Sequence, residues 1–511
     1  MRSLFTIVLI SLLASGCATN PVTGRSELTL VSEREEISIG ARQYLPAQQS
    51  QGGAYIADEA LTGYVNEVGQ RLAAVSDRPL PYEFVVINDS TPNAWALPGG
   101  KIAINRGLLS QLDNEAELAA VLGHEIVHAA ARHGAKAMER AMLLQGAVLL
   151  TALGTQDSEY SNYIVGGASI GAQLISTRHG RQAELEADLY GMEYMARAGY
   201  DPDAAVSLQE KFVALKQGNS PGWLEGLFAS HPPSQERVDR NAETGSQIKA
   251  TQSRDWETGT KRYSQRLAYL ASREEAYQAF DQATTLLENR EMDVAMNRVN
   301  HAIRLEPREP RFSGLKADIL FHRQSYRDAV KGYDAALERD DNYYEYYLGR
   351  GLSFSKLGNR DRARQDLTRS NSLLPTALAT NELGNLSLAD GDRVAAKRYF
   401  SEVAKTSGPL SASARQSFVR LDLADNPAAY FKVRSERRDG RFYSTVTNAA
   451  GLDVSNVTVY FSARINGKPR TAQRRIRFLG AGSSAGISPG WSISDTDVVD
   501  TVDVRVTNVS I

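Results

Sequence analysis

A 34-residue period in the second half of the chain constrains its architecture more than any other feature. Ala295, Ala329 and Ala363 follow one another at 34-residue steps, and Ala302, Ala336 and Ser370 keep the same step. Pro307 and Pro375 stand 68 residues apart, two such periods, with Asp341 at the intermediate position. Small residues recurring against larger ones such as Tyr333 and Leu337 let paired helices approach closely. A unit of that kind cannot bury its apolar face alone, so it stacks on its neighbours. The period therefore predicts an α-solenoid of roughly three to four helical hairpins over residues 270–424, with a concave surface for protein partners.

At about 150 residues per domain, 511 residues suggest roughly three domains. Upstream of the repeats, Tyr82–Ile87 and Lys101–Ile104 read as strands, the second entered from a Pro98-Gly99-Gly100 turn. A strong helix follows, with Asn114 and Glu117 placed as a capping box and Leu118, Val121, Leu122, Ile126 and Val127 as its apolar positions. Ala141–Gly154 is apolar over only 14 residues, too short to span a bilayer, and a Gly-rich apolar stretch covers 164–175. Polar sequence at 247–259 marks a boundary. Beyond Pro427 the period changes to two in Val457–Phe461 and Val502–Val506, and Asn466-Gly467 is a hairpin turn. A C-terminal all-β sandwich over 427–511 is expected.

Met1-Arg2, an apolar run from Leu4 to Leu13 and small residues up to Gly16 predict a secretory signal peptide over 1–16. Small residues directly before Cys17 resemble the bacterial lipoprotein signal, in which that cysteine carries the lipid. Ala18 after it points by the same resemblance to the outer membrane of a Gram-negative bacterium, with the chain facing the periplasm. Cys17 is the single cysteine, which excludes internal disulfides and thiolate metal clusters. Any metal site must then come from His, Asp and Glu. A formal charge of −2 gives no reason to expect a nucleic-acid partner.

The chemistry gathers at His124-Glu125-Ile126-Val127-His128. Residues four apart share a helical face, so both imidazoles reach one metal ion while Glu125 flanks it as a candidate general base. His133 stands one residue short of a metzincin's third ligand and, on a continuing helix, turns away as an exposed or structural histidine. Glu184 and Glu186 are the candidates for the third ligand. Asp188, one turn after Glu184, favours Glu184, because a carboxylate there accepts a hydrogen bond from the far nitrogen of a ligand histidine. His179 reads as solvated, and His301 and His322 as packing residues of the repeats.

The HExxH helix, Glu184-Leu-Glu-Ala-Asp188, Asn93-Ala-Trp-Ala-Leu-Pro-Gly-Gly100 and Ser230-His-Pro-Pro-Ser-Gln-Glu-Arg237 together resemble the gluzincin family of the CAAX prenyl protease. With the lipoprotein start and the tetratricopeptide-like repeats, the likeness is strongest to its periplasmic, repeat-bearing members. It covers roughly 20–240 by motif and 275–420 by architecture. It implies a mainly α zincin-type metalloprotease domain with a small sheet over 17–250. One Zn2+ per chain would be held by His124, His128 and Glu184, with Glu125 as general base. Asn93 and Ala94 would lie on an edge strand that holds the substrate backbone. For His231 three roles stand side by side: a reversible fourth ligand, an oxyanion stabiliser or a structural histidine. Arg237 is a candidate charge stabiliser, with a helix-surface arginine as the plainer reading.

The function expected is a zinc metalloendopeptidase acting on protein substrates such as misfolded or stalled envelope proteins. The alternative is a latched chaperone or assembly factor whose repeats bind envelope proteins, with proteolysis secondary or absent. Under either reading the outer-membrane assembly machinery is a candidate partner of the repeats. A membrane-embedded prenyl protease is disfavoured, since the sequence holds no apolar run of about 20 residues.

Overall fold

The computed structural model describes residues 17–149, 179–217, 225–438, 440–494 and 496–511. The signal peptide, the 164–175 stretch and the end of the 141–154 run lie outside them. The chain forms two compact units that meet in sequence between Pro375 and Thr376.

The first unit opens with an antiparallel pair, β1 (Cys17–Thr19) and β2 (Ser26–Leu28), followed by α1 (Glu33–Ser50) and α2 (Glu59–Ala73). Strands β3 (Glu83–Ile87), β4 (Ala94–Leu97) and β5 (Lys101–Asn105) make a sheet of order β3-β5-β4, so β4 is an edge. Gly99 and Gly100, at φ 79° and 86°, close the tight β4–β5 turn in a region that side chains disfavour. After the short α3 (Arg106–Leu109) comes α4 (Glu115–Ala130), in which every residue except His124 is buried.

Asn114 caps α4 by accepting the Glu117 N–H at 2.9 Å. The reciprocal half of the expected capping box is missing, because the Glu117 carboxylate accepts from Asp113 N–H instead and pairs with Lys211. The helix stops where Arg132 takes φ 63°, and α5 (His133–Leu149) starts anew from it. Helices α6 (Arg181–Arg197), α7 (Asp203–Gln217), α8 (Glu225–Ser230), α9 (Gln235–Thr251) and α10 (Thr260–Ala271) complete the surround of the HExxH helix. No helix of the described residues is long and apolar enough to cross a membrane.

Three helical hairpins follow in the same unit: α11 (Glu274–Glu288) with α12 (Met292–Leu305), α13 (Pro310–His322) with α14 (Tyr326–Leu337), and α15 (Tyr344–Lys356) with α16 (Arg360–Leu373). The periodic positions carry the packing: Ala295, Ala329, Ala363, Ala302, Ala336 and Ser370 are all 0% exposed. One buried cluster runs from Val22 to Ile319, so the first hairpins share a core with the upstream helices. The Gln49 side chain adds polar contacts to Asn342 O and Tyr344 N. His301 bonds Glu275, whereas His322 is exposed rather than packed.

Gly349 marks the closest approach in the solenoid. A Cβ there would lie 2.2 Å from Tyr333 Cζ, and that ring is fixed by burial and by donating to Asp318 at 2.6 Å. Gly349→Ala should therefore lower unfolding free energy by about 1–3 kcal/mol through overpacking. An unchanged urea midpoint would contradict the packing described.

The second unit contains α17 (Ala377–Ala389), α18 (Arg393–Ala404) and α19 (Pro409–Asp422), with Ala396 continuing the buried small positions. Two three-stranded antiparallel sheets then pack together. One has order β10-β7-β6, built from β6 (Phe431–Arg438), β7 (Arg441–Asn448) and β10 (Ser484–Ile487). The other has order β11-β8-β9, built from β8 (Val454–Ile465), β9 (Lys468–Leu479) and β11 (Val499–Ser510). Alternate residues of β8 (Val457, Val459, Phe461) face Phe442 and Trp491 in the core. Asn466 and Gly467, at φ 50° and 72°, make the β8–β9 turn.

Candidate metal centre

The site is built where α4 and α6 touch. Gly123 and Gly191 face each other so closely that a Cβ on Gly191 would lie 3.0 Å from His124 N. That approach lets Glu184, about two helical turns before Gly191, and Asp188, about one turn before it, reach the histidine face of α4. His124 and His128 are four residues apart on that face, and their Nε2 atoms lie 3.0 Å from each other. Glu184 Oε1 lies 3.4 Å from His128 Nε2. His231, which follows α8, brings Nδ1 to 3.3 Å from both His124 Nε2 and Glu184 Oε1.

These four residues are one group able to hold a metal ion. Donors about 2.0–2.1 Å from a tetrahedral zinc stand about 3.3 Å from one another, which is the spacing observed. A second observation agrees. Glu184 Oε1 is buried without a hydrogen-bond partner among the described residues, an arrangement that costs free energy unless a cation meets it. The residues present thus fit a zinc-type ion.

Burial and neighbouring charges perturb several of the site's ionisable groups. Burial alone would depress the His124 imidazole, but Asp188 and Glu184 raise it to about 10. Burial pushes His128 well below its ordinary value. Burial would raise Glu184, but His231, His124 and His128 hold it well below the usual carboxylate range. Asp188 is likewise kept low against burial, chiefly by Arg237. Glu125, 2% exposed, is raised by burial, and its Oε2 has no partner among the described residues.

Asp188 Oδ1 accepts from His124 Nδ1 at 2.9 Å, as expected from its position after Glu184. Arg237 is no surface arginine. It is 4% exposed, forks onto both Asp188 oxygens at 2.6 and 2.7 Å, and reaches Glu184 Oε2 at 3.0 Å. Glu184 Oε2 is therefore held by Arg237, and also lies 3.4 Å from His231 Nδ1, while Oε1 lies against His128 and His231. His179 is not solvated either: it stacks on His128 with ring centroids 3.9 Å apart, and burial first, then His231, lowers it to about 3. His133 is also brought in, 2.8 Å from His128. Sequence reasoning places none of the three here: it reads His179 as solvated, turns His133 away from His128, and makes Arg237 a candidate charge stabiliser with a surface position as the plainer reading. The mid-helix glycines Gly123 and Gly191 were the one local hint of a close helix crossing.

Of the expected substrate residues, Ala94 opens edge strand β4 and Asn93 lies one residue before it, its carbonyl accepting from Asn105 N–H. The outer edge of β4 is unpaired among the described residues. Ala94 lines a cavity of about 50 Å3 together with His124, Glu125, Met192 and His231. Cys17 is the first residue of β1, whose backbone pairs with Leu28.

Residues 59–244 match the model of peptidase family M48, and residues 280–344 match a tetratricopeptide repeat. The chain is 31% identical over 231 residues to the β-barrel assembly-enhancing protease of Escherichia coli (strain K12), covering 44% of this chain and 47% of that one. It thus spans about half the length of that relative. It is 30% identical over 255 residues to the mitochondrial metalloendopeptidase OMA1 of Saccharomyces cerevisiae, covering 45% of this chain and 72% of that one. Among solved structures, MamA 41-end from Desulfovibrio magneticus RS-1 matches with a TM-score of 0.25 and 17% identity, over 30% of this chain and 85% of that one.

Proposed function

The chain belongs to peptidase family M48, and we propose that it is a zinc metalloendopeptidase of the bacterial periplasm that cleaves protein substrates. The observation that carries this is the four-donor cluster of His124, His128, Glu184 and His231 beside the buried, unpaired Oε2 of Glu125. Zinc, when bound, supplies a Lewis acid and a water acidified to a pKa of about 7.

The chain's own residues do the rest. Glu125 takes the proton of the attacking water at Oε2 and returns it to the leaving nitrogen, and its raised affinity for protons suits both transfers. Asp188 fixes the tautomer and orientation of His124, and Arg237 in turn holds Asp188 and Glu184. The substrate backbone lies along β4 at Asn93 and Ala94, with a side chain in the adjoining cavity. The repeats recruit protein partners, the outer-membrane assembly machinery among them. A lipid on Cys17 anchors the chain at the outer membrane, a reading supported by the small residues before that cysteine.

Hydrolysis of β-casein, abolished by a chelator and restored by zinc, tests the proposal. No zinc-dependent cleavage by either wild type or His231→Ala would overturn it.

A second reading is favoured by one observation: His231 Nδ1 stands where a fourth ligand would. A latched site would leave assembly as the main task and proteolysis as a secondary one. His231→Ala should then raise basal casein hydrolysis about tenfold, the factor for a latch closed roughly nine parts in ten. A fall of about 10²-fold instead would assign His231 to oxyanion stabilisation.

A further inference from the structure

His128 is held by a partner of unusual kind. Its Nε2 faces the donor cluster, 3.0 Å from His124 Nε2 and 3.4 Å from Glu184 Oε1. A neutral ring used in that way carries its proton on Nδ1. That Nδ1 lies 2.8 Å from Nδ1 of His133, which is 5% exposed. His133 must then accept at Nδ1 and carry its own proton on Nε2, which points at Glu186 Oε2, 3.4 Å away. The other Glu186 oxygen receives Arg25 at 3.0 Å and Gln182 at 3.3 Å. The first two bonds run outward, His128 donating to His133 and His133 to Glu186, and the Glu186 carboxylate then accepts from Arg25 in the turn between β1 and β2.

The backbone brings the two rings together. Were α4 to continue, His133 would turn away from His128, but Arg132 at φ 63° ends the helix and re-aims the next residue. The Arg132 guanidinium is held in place by Glu36, by Thr29 at 2.9 Å and by Val31 O at 2.6 Å. Asn20, in the turn between β1 and β2, donates to Ala131 O at 3.0 Å and secures the break from the other side.

We propose that His133 is a positioning residue of the metal centre, accepting the Nδ1–H of His128 and passing the restraint through Glu186 to Arg25. Each of the two histidine ligands then has its own outer partner: Asp188, clamped by Arg237, for His124, and the His133–Glu186 pair for His128. The restraint fixes ring orientation and raises ligand basicity, so its loss appears first as weaker metal binding. The proposal rests on the metal site described above. It also gives Glu186 a task other than the ligand role for which it competed in sequence.

Competition for zinc against a chromophoric chelator, on the purified full chain, tests it without reference to activity. His133→Phe keeps volume and removes the acceptor, and it should weaken zinc binding about 10- to 100-fold. His133→Asn places an amide oxygen near the former Nδ1 and should restore affinity to within about threefold of wild type. Glu186→Ala leaves His133 in place and should weaken binding by a smaller factor, about threefold, which keeps the test open if the phenylalanine variant fails to fold. Unchanged affinity in the phenylalanine and alanine variants, or equal losses in the phenylalanine and asparagine variants, would overturn the proposal. A wild-type chain that takes up no zinc would instead overturn the metal site itself.

Discussion

Replacing Glu125 by glutamine is expected to lower kcat for protein hydrolysis by about 10²- to 10⁴-fold while the chain still folds and still takes up zinc. The substitution keeps size and shape and removes only the ability to accept a proton. Glu125 is 2% exposed, and the polar group facing it is His231 Nε2, 3.5 Å from Oε1. No strong structural hydrogen bond is therefore lost. A buried carboxylate whose proton affinity is already raised by burial is replaced by a neutral amide, so thermal stability should hold or rise slightly. Single-turnover cleavage of a labelled unfolded protein separates this loss from weaker substrate binding. Activity within a factor of ten of wild type would remove Glu125 from the proposed mechanism.

The second large effect is on stability. Arg237→Met should lower the unfolding free energy of the metal-free chain by about 3–5 kcal/mol, the usual consequence of leaving buried carboxylates without their cation. Arg237 is the guanidinium that meets Asp188 on both oxygens and Glu184 on one. Methionine keeps much of the side-chain volume, so packing loss contributes little. Arg237→Lys should fall between the two, because an ammonium cannot reproduce the fork. Urea unfolding in the presence of chelator measures the effect, and a change below about 1 kcal/mol would show that the carboxylates find compensation elsewhere. Zinc should recover part of the lost stability, since a ligand that binds only the folded state adds to it by mass action.

What could be read from sequence divides along a physical line. The HExxH helix was legible because two histidines four residues apart share a face by helical geometry alone. The repeats were legible because Ala295, Ala329 and Ala363 are all at 0% exposure, and such positions tolerate only small residues. The sandwich was legible in the alternation of β8 and in Asn466-Gly467. Asp188 was found because its spacing from Glu184 is one helical turn.

Arg237 was misplaced, since nothing local distinguishes an arginine that crosses to α6 from one that faces water. His133 was misjudged for a different reason. Its approach to His128 depends on a single left-handed residue, Arg132, and no turn residue announces that break. The half-formed cap of α4 has a similar origin, because tertiary pairing with Lys211 draws Glu117 away from it. Long-range contacts and one unusual dihedral, rather than weak local patterns, account for these misses.

The central claim is that His124, His128 and Glu184 hold a single catalytic zinc. Metal analysis by inductively coupled plasma mass spectrometry tests it most directly, on the purified full chain of wild type, Glu125→Gln and His128→Ala. The account predicts about one zinc per chain in wild type and in Glu125→Gln, and close to none in His128→Ala. Zinc-free wild type, or undiminished zinc in His128→Ala, would contradict it.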